Sequence, residues 1–141
     1  MKSTVKILAV VMVCILASTV LVACALTPNI NYDKACANLE KNDYTVDGII
    51  ESDTNFEEEF DGAYATNFGI EASDFHAGLM AFNDDNEFIA IFWLKSIAAA
   101  KKCYQSFQEF IENSSGDKEF CCGRSDNVVW MGSEEAIKAT K

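Results

Sequence analysis

Few residues of this 141-residue chain are of a type that does chemistry, and their spacing limits what that chemistry would be. The one histidine is His76, with Asp74 two positions before it. A hydrolytic triad would have to use this pair, and no G-x-S-x-G precedes it to raise a nucleophile on a sharp strand-to-helix turn. Acids are plentiful by contrast. Glu57, Glu58, Glu59 and Asp61 are close enough in sequence for paired-carboxylate work. General acid–base catalysis needs one such carboxyl buried and raised in pKa, and a run this polar reads instead as a solvated face. Asn83-Asp84-Asp85-Asn86-Glu87 lacks the alternating order of a calcium loop and its bidentate glutamate at position twelve. The seven glycines are scattered and make no phosphate cradle. The sequence therefore predicts no catalytic set, no metal site and no cofactor.

Sulfur and indole are the remaining functional groups. Cys14 lies within an apolar leader and Cys24 at its end, which leaves Cys36, Cys103, Cys121 and Cys122 for the folded part. Four cysteines permit three complete pairings. One or two bridges, or four buried thiols, fit equally. There is no C-x-x-C, and one histidine cannot complete a convergent zinc set. Cys121 and Cys122 are adjacent in a predicted strand, where neighbours point to opposite faces, so the two should not reach one partner element. Trp93 and Trp130 would mark a binding surface if exposed, together with the acids at 57–61. Their spacing equally suits sheet core or cross-strand pairs.

The first 23 residues hold 17 of the 70 apolar residues, behind Lys2 and Lys6. A charged start and a long apolar run form the layout of an export signal. The run closes on Leu21-Val22-Ala23-Cys24, which resembles the lipobox of bacterial lipoprotein precursors. The resemblance implies cleavage between Ala23 and Cys24, with Leu21 and Ala23 filling the peptidase site. It also implies a diacylglycerol thioether on Cys24. Two acyl chains on one cysteine hold stably where one holds marginally, at about 0.8 kcal/mol per buried CH₂. Ala25 after the cysteine would, in a two-membrane cell, suggest the outer membrane rather than the inner cell membrane. The other readings are an uncleaved anchor, since residues 5–26 would span a bilayer, and a plain secretory signal. All three place 25–141 on the extracytoplasmic side.

Charge sharpens the class. Asp and Glu number 22 against 11 Lys and Arg. Residues 42–94 hold 13 acids and no lysine or arginine, while 24–41 and 95–141 each cancel. Nucleic acid and anionic lipid both demand a basic footprint, so neither is an expected ligand of the domain itself. The balance favours a domain held off the membrane by a short tether. The acidic surface is either a solubility device or a patch for a basic partner or divalent cations.

These groups must be positioned by few elements, because 118 residues past the leader suffice for one core. Residues 24–30, with the only proline, read as the tether, and 31–141 as a single domain. Asn31 is placed to cap a helix to about Asn42, with Tyr32, Cys36 and Leu39 on one stripe. A strand over 44–52 follows, where Asp47-Gly48 hints at a bulge. Residues 53–73 suit either a helix or a loop pinned by aromatics. Residues 79–82 and 87–95 form a hairpin about the four-residue turn 83–86. The second arm is apolar on both faces, as a central strand would be. Ser96 caps a helix to about Asn113, its stripe being Ile97, Ala100, Tyr104, Phe107 and Ile111. A second hairpin turns at Asp126-Asn127, and Ser133 caps a last short helix. Tight strand-to-strand links predict an α+β two-layer sandwich: a mainly antiparallel sheet of about five strands with two or three helices.

The expected role is that of a lipid-anchored extracytoplasmic domain that binds an envelope protein or a small ligand without catalysis. An enzyme or accessory working on an envelope polymer through acidic residues, and a passive structural lipoprotein, are the alternatives.

Overall fold

A computed structural model describes residues 26–52, 68–114 and 119–141. Helix α1 runs Tyr32–Lys41, started by Asn31, whose Oδ1 accepts from the Lys34 amide at 3.0 Å. Asp43 ends it with φ +64°, a left-handed turn that aspartate tolerates better than most residues. Strand β1 spans Thr45–Ile50, and after a 3-10 turn at Ala72–Asp74 come β2 (Phe75–Phe82) and β3 (Phe88–Leu94). Helix α2 covers Ile97–Asn113, with Ser96 Oγ accepting from the Ala99 amide at 3.1 Å. Strands β4 (Phe120–Ser125) and β5 (Val128–Ser133) lead to α3 (Glu134–Ala139).

The five strands form one sheet in the order β1-β2-β3-β5-β4, and every pairing is antiparallel. The predicted α+β sandwich on a five-stranded antiparallel sheet is found, with β3 its central strand, but helices on both faces make three layers where two were expected. Alternation along β3 then divides the helices. Ala90, Phe92 and Leu94 face a core shared with Ala100, Cys103 and Phe107 of α2. Ile89, Ile91 and Trp93 face the opposite core, shared with Ala35 and Leu39 of α1 and Ala136 and Ile137 of α3. Helices thus cover both faces of the sheet, as a strand apolar on both sides requires.

Several local expectations are corrected. The register of β1 against β2 is unbroken through Asp47 and Gly48, and the irregularity sits between Phe75 and Ala77 instead. Gly48 serves a different purpose: any Cβ there would collide with the Tyr32 hydroxyl. Strand β2 begins four residues before the expected arm, because Phe75-His76-Ala77-Gly78 has weak strand propensity but pairs on both sides. Ser133 precedes α3 without capping it; its Oγ accepts from the Phe88 amide at 3.4 Å across the sheet. On α2 the buried line is Ala100, Cys103 and Phe107, while Ile97 and Phe110 are about half exposed.

Residues 26–30 of the expected tether are laid against the domain. Leu26 packs on the α1/α3 core and Pro28 is buried. The Asn29 amide donates to Thr140 Oγ1 at 2.8 Å, and the Ile30 carbonyl accepts from Trp93 Nε1 at 2.9 Å. Phe68 and Ile70 are buried in the α2-side core, so the end of the unreadable stretch 53–73 is anchored by aromatic and aliphatic packing.

Candidate functional site

Chemically competent side chains gather at one end of the sheet, where β1, β3 and β4 end and β2 and β5 begin. The Glu51 carboxylate accepts from Lys95 Nζ at 2.6 Å and lies 3.4 Å from His76 Nδ1. The Glu51 amide donates to the His76 carbonyl and the Lys95 amide to the Asp74 carbonyl, so register builds the group. The hydrogen bond from Lys95, then that to His76, holds the Glu51 carboxyl below its ordinary value. This is a base oriented by an acid, yet among the described residues no hydroxyl or thiol is hydrogen-bonded to His76. All three side chains are largely exposed. Water therefore screens the group, and it lacks the desolvated nucleophile that acyl transfer needs. The Asp74–His76 pairing considered from sequence is not made among the described contacts. Glu51 replaces it from 25 positions away, which spacing alone could not reveal.

The second feature at this end is a cleft of about 350 Å³ wrapped around edge strand β4, lined by Thr27, Tyr104, Cys122, Gly123, Arg124 and Trp130 among others. Its shape follows from one glycine. Gly123 stands directly opposite Trp130 across the β4–β5 pair, and a side chain at 123 would enter the indole ring. The indole therefore lies flat across the strand and is itself buried. Arg124 folds back on the hairpin, its Nη1 donating to the Asp126 carbonyl at 2.9 Å. The Tyr104 hydroxyl and the Cys122 thiol are hydrogen-bonded to each other.

The indoles flagged from sequence are not an exposed platform. Trp130 belongs to the core. Trp93 meets Tyr32 edge-on at 5.5 Å between ring centres and holds the Ile30 carbonyl, so its free surface is taken by the chain's own N-terminal segment. Glu57, Glu58, Glu59 and Asp61 lie outside the described residues, as do Ala23 and Cys24.

The thiols at 36, 103, 121 and 122 are all free. Cys121 and Cys122 pack against opposite cores, as strand alternation demands. Burial is the first cause that raises each of the four above a free thiol, and it pushes Cys103 up to about 12. A thiol that stays protonated at neutral pH is a poor nucleophile and a poor metal ligand. Among the described residues, no three or more His, Cys, Asp or Glu converge to hold a metal ion. No helix of the described residues is long and apolar enough to cross a membrane.

No protein-family model, curated protein or solved structure matches this chain.

Proposed function

We propose that the chain is a lipid-anchored extracytoplasmic domain whose role is binding, without catalysis, to an envelope protein or a small ligand. The observation that carries this is Leu21-Val22-Ala23-Cys24 closing an apolar run behind two lysines. Burial raises all four thiols above an ordinary thiol, which favours binding over nucleophilic chemistry. The Glu51–His76–Lys95 group is solvated and lacks a bonded nucleophile, which argues against the enzymatic alternative.

The test is acyl labelling in cells. The native chain should take up labelled fatty acid at Cys24 and partition with membranes. Cys24→Ala should lose the label and either appear in the soluble extracytoplasmic fraction or accumulate unprocessed. Unchanged labelling of Cys24→Ala would overturn the reading. Photo-crosslinking in intact cells from Arg124, beside the β4 cleft, should capture one defined species. A smear that matches overall abundance would favour the passive structural role.

A further inference from the structure

The route by which the chain leaves the fold determines how the domain would sit on a bilayer. Leu26 is packed on the α1/α3 core, Thr27 lines the β4 cleft and Asn29 is tied to Thr140. Only Ala25 separates Leu26 from Cys24. Two residue steps span at most about 7 Å. A lipid on Cys24 therefore cannot hold the domain at a distance, contrary to what a freely running tether over 24–30 would do.

The geometry points to the end of the sheet beside Thr27 and Ile30 as a bilayer-contacting surface, with lipid headgroups and the upper acyl region as its partner; this rests on the lipoprotein reading above. Three observations locate that surface. The first is the exit point, since Ile30 is bound to Trp93 and Thr27 lies beside Arg124, all at the end where β3 and β4 finish. The second is apolar exposure. Ile30 is 52% exposed and Ile97, which opens α2 just after β3, is 51% exposed. Isoleucines there would enter the headgroup region, with Lys95 and Arg124 beside them at phosphate level.

The third observation is charge. Among the described residues of the contacting end, Glu51 is bound to Lys95, and Asp74 and Asp126 stand beside Lys95 and Arg124, while Glu71 is in no described ion pair. The turns at the opposite end, 42–44 and 83–86, hold Asp43, Asp84 and Asp85 and no base. Anionic lipid repels that end, and the short link leaves it facing outward. Phe82, also half exposed, stands at the acidic end and is turned away from the bilayer with it.

Hydrogen exchange on the acylated full-length mature protein tests this, in vesicles of phosphatidylethanolamine and phosphatidylglycerol. The mass of the Cys24 peptide is read first. The comparison is a variant with twelve Gly/Ser residues inserted between Ala25 and Leu26, which lengthens the link by about 20 Å. In the native protein, peptides covering 27–31, 95–99 and 124–128 should exchange roughly tenfold or more slowly on vesicles than in detergent, with 83–87 unchanged. The spacer variant should lose that protection while remaining acylated and folded. An acylated native protein with no protection, or with protection at 83–87, overturns the orientation and leaves the lipoprotein reading standing. A native Cys24 peptide without the acyl mass overturns both.

Discussion

At Gly132 the sheet leaves no room for a side chain. A Cβ there would lie 2.6 Å from the Phe88 carbonyl oxygen, which belongs to the neighbouring strand and cannot swing aside. Gly132→Ala should therefore destabilise the domain by about 3 kcal/mol, at the upper end of overpacking costs. At Gly123 the added Cβ would collide with the Trp130 ring, a side chain rather than backbone, so Gly123→Ala is expected to cost about 1–2 kcal/mol. Urea midpoints of the two variants would check the ranking, and equal shifts would contradict it. Cys103 makes a different residue-scale claim. Burial raises its folded pKa from 9.0 to about 12, so the unfolded chain releases its proton first as pH rises. Stability from this group is complete below pH 9, declines from there and is gone once pH passes about 12. At pH 10 the loss is about 1 kcal/mol. Cys103→Ala should be less stable at pH 7 yet lose about that much less between pH 7 and 10. A parallel pH profile for the two proteins would refute the assignment. Modification by a thiol reagent at pH 7 should reach Cys103 only through unfolding, as intact mass would record.

Elements were legible where one signal decided them. The caps Asn31 and Ser96, the polar turn at 83–86 and the run Phe88–Leu94 each carry their own physical reason, and α1, α2 and the two hairpins lie within a few residues of expectation. Residues that depend on register were not legible. Glu51 meets His76 and Lys95 only because β1, β2 and β3 pair as they do, and Ser133 abandons its cap because Phe88 lies opposite. The segment 26–30 was unreadable for a similar reason. Its docking depends on Trp93 and Thr140, which are 63 and 111 positions from their partners. That segment yields an element-scale prediction. Thr140 is buried, donates to the Ile137 carbonyl at 2.7 Å and accepts from the Asn29 amide. Thr140→Val keeps the shape but strands the Asn29 amide and leaves the Ile137 carbonyl only the Thr140 amide at 3.3 Å, which should cost about 1–3 kcal/mol. Trp93→Phe should cost about 1 kcal/mol through the lost bond to Ile30. Both should speed amide exchange over 27–31 while leaving β3 and β5 protected. Unaltered exchange there would mean that the segment is held by Leu26 and Pro28 alone.

Charge acts on the molecule as a whole. Past the leader the chain carries 22 acids and nine bases, and the described ion pairs engage Glu51, Glu134 and Glu135. All of these pairs are exposed, so each contributes little. Repulsion between like charges is screened over the Debye length, about 10 Å at 0.1 M salt and about 30 Å at 0.01 M. Added salt should then weaken more repulsion than attraction. The melting temperature of residues 25–141 at pH 7 is expected to rise from 10 mM to 500 mM sodium chloride. Potassium chloride should do the same, since screening is indifferent to the monovalent cation. Glu51→Gln removes an acid but also the partner of Lys95, so its effect should shrink as salt increases. A melting temperature that falls with salt would mean that pairing outweighs the 13-acid excess. A rise specific to calcium at millimolar concentration would instead identify the acidic surface as a cation-binding one, a role that the turn at 83–87 does not explain by its sequence order.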